Sequence, residues 1–342
     1  SNSNHLKSFF FRYLLKIYKS IIYRFILFKI KNIEKIKWDK ILNFSLKNNK
    51  TLILTAHQAP RIISIVKYFK IINPNTAHCL LPHGVTLCEN KMLDISSLSI
   101  NFKGFDFSRW KNINHIFVPD NYLMKKAKVA GVSSKKLFHL GSPRFCKEWL
   151  NIKKDLELDG PTPSINNNKK KILFIMPNTI SNIFFDEVIR TVYFISQYQD
   201  IDFLVQKRDD GVKIPQSLIL DNNINWISNE YSTSALIDWS DCVIHSITSM
   251  HLECLQKNKI VIFPRYLMAN TSICELYKVG IILKNRDELR ETMNSIITDY
   301  DNFYKKYMLK SDIINKYLFD IVNANKNNVL DNYIDTIESL AF

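Results

Sequence analysis

The sequence predicts an α/β protein of two Rossmann-like lobes facing a cleft, with a basic N-terminal helix and a helical C-terminal tail. Three observations carry that prediction. The chain has 342 residues, a length that suits two domains of ordinary size. Short apolar runs alternate with helical segments in two series, the pattern of βαβ units and parallel sheets. Between the series lies Gly160-Pro161-Thr162-Pro163-Ser164-Ile165-Asn166-Asn167-Asn168-Lys169, polar and turn-rich, which reads as an interdomain linker. The expected division is a basic amphipathic helix within 1–45, a first lobe over 46–160, a linker over 161–170, a second lobe over 171–300 and terminal helices over 301–342.

Residues 8–37 read as a basic helix. Arg12, Lys16 and Lys19 share one face, with Arg24 following, while Leu14, Ile17, Ile21, Phe25 and Phe28 lie towards the other. Charges interrupt the apolar stretch too often for a signal peptide or for a membrane span of about 20 residues. The pattern suits a helix lying on an anionic membrane surface. In the first lobe, strands are expected at 51–55, 77–81, 115–119 and 136–140, with helices at 61–69 and 122–130; Gly131 is a good C-cap for the second of these. In the second lobe, strands are expected at 171–176, 202–205, 224–227, 242–245, 260–263 and 279–283, with helices at 182–198, 232–238 and 249–256. From about residue 286 onward the pattern is helical.

Composition narrows the function classes. Apolar residues make up 46% and charged residues 23%, as in ordinary globular proteins. Only seven glycines occur, and neither GxGxxG nor GxxxxGK[ST] is present, which excludes the standard dinucleotide fingerprint and the Walker A loop. The six cysteines form no CxxC, so free thiols of a reducing cytoplasm are expected rather than a disulfide framework. The eight histidines show no HExxH and no zinc-like spacing, so neither a metal nor a resident cofactor is expected. The net charge of +15 points to anionic partners, although an excess of Lys, Asn and Ile from an AT-rich genome accounts for part of it. Tyr18, Tyr23, Trp38 and Trp110 among the basic residues allow a nucleic-acid-binding alternative. No RNP, KH or zinc pattern supports it, and no nucleic-acid partner is expected.

In open α/β sheets, ligands bind beyond the carboxyl ends of the strands, so polar residues there are the candidates. Ser246-Ile247-Thr248-Ser249-Met250-His251-Leu252-Glu253 follows an apolar strand and opens a helix. Hydroxyls at a helix N-terminus suit a nucleotide phosphate, so Ser246, Thr248 and Ser249 are expected to hold it. Glu253, one turn on, is expected to accept from ribose hydroxyls. Asn178 and Thr179 follow the second lobe's first strand, and Lys207 and Arg208 follow its next one; these suit phosphate oxygens and their charge. From the first lobe, His83 and Gly84 form a turn at a strand end, and His57 ends the first strand, followed by Arg61. His83 and His57 are the candidate proton-transfer groups, and Gly84, Arg61, Gly141 and Arg144 are expected to line the same cleft. The DxD of Asp200-Ile201-Asp202 precedes its strand and should face away from the cleft.

The order His83-Gly84, Asn114 to Pro119, Leu140-Gly141-Ser142-Pro143-Arg144, then Trp239-Ser240-Asp241 to Ser249 resembles the GT-B glycosyltransferases of bacterial surface-polysaccharide pathways. It is similar also to the teichoic-acid glycerol- and ribitol-phosphate transferases, and to transferases using CMP-activated acidic sugars. The resemblance spans roughly 50–265 through short motifs. Two departures matter. Gln206-Lys207-Arg208-Asp209 stands where the teichoic enzymes carry Lys-Pro-His-Pro, and His245-Ser246-Ile247-Thr248-Ser249 where they carry Asp-Tyr-Ser-Ser. These favour a sugar transferase over a polyol-phosphate transferase. The resemblance implies a cytoplasmic, metal-independent enzyme, peripheral at the inner membrane face. It would take a CMP-, CDP- or UDP-activated sugar as donor and a glycan or lipid-linked acceptor.

Overall fold

The computed structural model describes residues 51–56, 60–82, 84–85, 87–88, 110, 112–157, 163, 169–177, 182–207, 214–227, 231–322 and 328–341. The expected helix within 8–37, most of the linker, and His57, His83, Asn178, Thr179 and Arg208 lie outside the described residues; for Arg61 only the backbone is described.

The first lobe runs β1 (Thr51–Thr55), α1 (Pro60–Ile72), β2 (Thr76–Leu80), β3 (His115–Val118), α2 (Asn121–Val129), β4 (Leu137–His139) and α3 (Lys147–Glu157). Its four strands are parallel, in the order β1-β2-β3-β4. The two faces of these strands bury different partners, as a period of two requires. Leu80, Ile116, Val118 and Leu137 pack against Leu123, Met124 and Ala127 of α2. Cys79 and Phe117 pack against Val329 and Tyr333 of the last helix, α12 (Val329–Ala341). Asp120 starts α2 by accepting from the Leu123 amide at 2.5 Å.

The second lobe runs β5 (Lys170–Ile175), α4 (Phe185–Ser196), β6 (Ile201–Gln206), α5 (Gln216–Ile219), β7 (Asn225–Ile227), α6 (Thr233–Trp239), β8 (Cys242–His245), α7 (His251–Gln256), β9 (Ile260–Pro264), α8 (Ile273–Tyr277) and β10 (Ile281–Leu283). All neighbouring strands are parallel, in the order β10-β9-β8-β5-β6-β7. β5 is central, and Ile172, Leu173 and Phe174 are fully buried, which is why its sequence reads as an unbroken apolar run. Side chains start helices here: Ser232 caps the N-terminus of α6, and Ser272 with Glu275 forms a reciprocal capping box on α8. Gly280 has φ +79°, and a Cβ there would meet the Val261 carbonyl at 3.0 Å, so the entry to β10 requires glycine.

Helices α9 (Arg286–Thr298), α10 (Tyr300–Met308) and α11 (Ser311–Val322) follow. Tyr307, Ile314, Tyr317 and Leu318 join the second lobe's core. The tail then crosses back. The Val322 carbonyl accepts from the Ser142 amide at 3.0 Å, and the Tyr333 hydroxyl donates to the Gly141 carbonyl at 2.9 Å. The six cysteines are buried and free. Among the described residues no helix is long and apolar enough to cross a membrane, and no cluster of three or more metal-binding side chains occurs.

Three details differ from the sequence pattern. Helix α7 begins at His251 with Met250 as its cap, and Ser249 does not cap it. β4 is shortened because Ser134–Lys136 forms a 3-10 turn. Helices α3, α5 and α8 were not expected. α3 carries the amphipathic run Trp149-Leu150-Asn151-Ile152, and α5 and α8 have four and five residues, too few for a helical period to show.

Candidate functional site

The order of the second sheet reverses between β5 and β8, so the chain leaves these neighbours in opposite directions. Ile175 pairs with His245 at the ends of the two strands. Such a switch point opens a crevice at the carboxyl ends, the place where this architecture binds ligands. The turn 246–250 leaves from it, and so does Met176-Pro177.

Burial at this point leaves polar groups without partners. His245 and Ser246 are each 1% exposed. Neither ring nitrogen of His245 nor the Ser246 hydroxyl has a hydrogen-bond partner among the described residues. Buried polar groups are normally satisfied, and each one left unpaired costs about 1–3 kcal/mol. Burial, reinforced by the neighbouring His251, holds His245 well below the usual histidine pKa, so its imidazole is neutral.

A buried chain of hydrogen bonds fixes the turn from below. His251 Nδ1 donates to the Thr248 carbonyl, which can only accept, so Nε2 is the nitrogen that faces the Tyr317 hydroxyl at 2.6 Å. Cys274 Sγ lies 3.8 Å from the same hydroxyl. Stacking of His251 on His245, at 5.2 Å between centroids, joins this chain to the strand end. Tail helix α11 thereby holds the backbone of the candidate phosphate turn. The Thr248 hydroxyl accepts from the Met250 amide at 3.3 Å, which tightens the turn itself.

The remaining expected residues fall into different settings. Glu253 does not face an open site: at 1% exposure its carboxylate accepts from Ser234 and pairs with Lys153 at 2.9 Å and Lys257 at 3.0 Å. Burial would raise its pKa, but the hydrogen bonds from Ser234, Lys153 and Lys257 outweigh that and lower it. The expectation of a ribose-binding Glu253 is therefore replaced by an ion-pair network, because α7 packs this residue inward against Lys153 of α3 and Ser234 of α6. Gly141 is buried, with φ +92°, and its carbonyl is bound to Tyr333; it anchors the tail. Arg144 is exposed, 3.7 Å from the Met250 sulfur across the lobes. Lys207 sits at the end of β6 with its ammonium 5.3 Å from the centre of the Trp226 ring. A Cβ on Gly84 would meet nothing within 4 Å, and the segment after it reaches the second lobe, where the Leu87 carbonyl accepts from the Ile273 amide at 3.0 Å. Asp200 and Asp202 stand at the amino end of β6, away from the crevice. A cavity of about 420 Å³ lined by Ile189, Tyr193, Phe194, Leu218 and Arg286 lies along the far half of α4, outside this site.

His245, His251, Tyr317, Lys153 and Ser234 were not singled out from the sequence. For His245 and His251 the signal was present, since both stand within the quoted motif. Tyr317, Lys153 and Ser234 are remote in sequence and carry no local mark.

No protein-family model matches the sequence, and no curated protein matches it. Solved structures do resemble it. The wall teichoic acid polymerase TagF superposes with a TM-score of 0.50 at 16% identity, over 85% of this chain and 72% of that one. MnaA of S. aureus with UDP gives 0.51 at 13%, over 80% and 76%. The UDP-GlcNAc 2-epimerase of Neisseria meningitidis bound to UDP-GlcNAc gives 0.50 at 16%, over 81% and 78%. The fold is thus that of the GT-B enzymes: two parallel-sheet lobes with a helical C-terminal end.

Proposed function

We propose that this protein is a metal-independent glycosyltransferase. It takes a sugar from a CMP-, CDP- or UDP-linked donor and passes it to a glycan or lipid-linked acceptor in bacterial cell-surface polysaccharide synthesis. The observation that carries this reading is the Ser246 hydroxyl, without a partner among the described residues, and the neutral His245 imidazole, both buried at the switch point of the second sheet. Groups left unsatisfied at a ligand crevice suit the oxygens of a nucleotide phosphate. As the glycosidic bond breaks, charge grows on that phosphate, and donors already oriented there act most strongly in the transition state. Ser246, Thr248 and Ser249 supply the turn; Asn178, Thr179, Lys207 and Arg208 come from neighbouring strand ends. His83 and His57, from the first lobe, are assigned to the transferred group and the acceptor. The basic segment 8–37 gives the enzyme a contact with the anionic inner face of the membrane, where lipid-linked acceptors are available.

The likeness to TagF favours one second reading, transfer of glycerol or ribitol phosphate on the same architecture. Ser246→Ala tests the site for both. Removing an unsatisfied hydroxyl should leave the ligand-free protein as stable or more so, yet weaken CMP, CDP or UDP binding by roughly tenfold, the loss of one good hydrogen bond. Unchanged affinity for every nucleotide would remove the site. Product analysis with nucleotide sugars and with CDP-glycerol separates the two reactions.

A further inference from the structure

We propose that the first lobe itself docks on an anionic lipid bilayer, through the helix-covered face and amino end of its sheet. The inference rests on the distribution of charge and exposure and is independent of the nucleotide reading. Among the described residues of the first lobe, Thr51 to Glu157, there are twelve lysines and arginines and four carboxylates: Asp120, fully buried as a helix cap, and Glu148, Asp155 and Glu157, all on α3. The described residues from Lys169 to Thr298 carry twelve of each sign. The excess is therefore concentrated in one lobe.

Topology gathers it on one side. α1 joins β1 to β2 and α2 joins β3 to β4. Right-handed crossovers in the same direction put both helices on one face of the sheet. Each helix runs back against its strand, so both end at the sheet's amino end. Lys70-Ile71 and Lys128-Val129 lie there, with the turn containing Lys135 and Lys136. Lys136 lies near enough to Lys70 to act on it electrostatically. Lys67, Lys125, Lys128 and Lys135 are exposed. Two apolar tips stand among them: Val129 is 90% exposed and Ile71 64%.

The opposite face of the sheet has the opposite sign. It is covered by α12, which exposes Asp331, Asp335 and Glu338 and contains no lysine or arginine. A lobe with one basic and one acidic face is oriented by a charged plane. Lysines around exposed aliphatic tips suit lipid headgroups and the upper acyl region. Single-stranded nucleic acid would instead call for exposed aromatic platforms, and Tyr122 and Trp110 are each half-buried. β1 begins at the same amino end, and the fifty residues before it contain twelve lysines and arginines against two carboxylates.

The test is flotation of the full chain with phosphatidylcholine vesicles, with and without about 30% phosphatidylglycerol. The full chain should float with the anionic vesicles and not with the neutral ones, and lose binding at about 0.5 M salt as screening shortens the field. Each lysine near the surface is worth about fivefold in partition. The quadruple variant K67E/K125E/K128E/K135E should therefore bind at least tenfold more weakly, and the Arg quadruple variant should bind as the parent does. Unchanged nucleotide affinity and melting temperature show that the variant folds, and a K67Q/K125Q/K128Q/K135Q chain gives the same readout should the charge reversal unfold it. Equal flotation of parent and variants would overturn the proposal. So would binding of the parent to neutral vesicles, or to heparin but not to anionic vesicles.

Discussion

Removing one hydroxyl, in Tyr317→Phe, tests whether the tail controls the candidate phosphate turn. Tyr317 is fully buried and touches His251 through its hydroxyl at 2.6 Å. His251 Nδ1 is committed to the Thr248 carbonyl, so the substitution leaves Nε2 facing a phenyl ring in a fully buried setting. An unsatisfied buried nitrogen costs about 1–3 kcal/mol. For a body of this size, about 2–4 °C of melting temperature follows each kcal/mol, so a fall of roughly 2–12 °C is expected in thermal unfolding. The same substitution loosens the turn 246–250, so nucleotide affinity, measured by calorimetry, should fall as well. A double-mutant cycle with His251→Leu isolates the contact, because the two losses should be less than additive. Strict additivity, or a Tyr317→Phe protein with unchanged melting and unchanged nucleotide affinity, would refute the reasoning.

Three further outcomes follow from charge and burial. Glu253→Leu strands the cations that its carboxylate holds, and breaking a buried ion pair of this kind should cost about 3–5 kcal/mol in denaturant unfolding. Because the folded pKa of Glu253 is depressed, its contribution is present above the ordinary glutamate range and is lost as pH falls through the folded value; the pH dependence of stability of parent and Glu253→Gln should diverge there. His78, hydrogen-bonded to Thr55 at 2.7 Å, is pushed down to about 4 by burial and then by Lys70. It stays neutral in the fold while the unfolded chain takes up a proton, so the first lobe should lose up to about 3 kcal/mol between pH 6.5 and 4, and His78→Gln should flatten that slope. Finally, transfer activity should survive EDTA, and a loss restored by Mg²⁺ or Mn²⁺ would count against the metal-independent mechanism.

The architecture was legible because its signals are local. The run Lys171 to Met176 and the run Cys242 to His245 are apolar without interruption, and both are central strands with neighbours on either side. Strand order was not legible, since pairing of β5 with β8 links residues about seventy positions apart and leaves no mark on either segment. The candidate turn was legible in position but not in geometry. The face of α7 that carries Glu253 is set by packing against Lys153 and Ser234, which lie 100 and 19 positions away in the sequence. Contacts that distant leave no local mark by which an internal ion pair could be told from a ligand contact.

Charge illustrates the opposite case, where composition suggests less than the structure contains. An AT-rich genome enriches lysine wherever codons allow, so it should raise both lobes alike. In the described second lobe, however, cations and carboxylates are equal in number, and the carboxylates are placed to use them: Glu187 with Arg286 at 2.5 Å, Glu275 with Arg265 at 2.6 Å, Glu253 with two lysines. In the described first lobe α1 and α2 contain no carboxylate, Asp120 serves as the cap of α2, and Lys67, Lys125, Lys128 and Lys135 are exposed. Like charges such as Lys70 and Lys136 repel, and the repulsion contributes to a lowered Lys70 after burial. Codon bias supplies lysines but does not by itself keep aspartate and glutamate off α1 and α2 while leaving them on α3, on α12 and through the second lobe, and the proposed anionic plane facing α1 and α2 accounts for that placement.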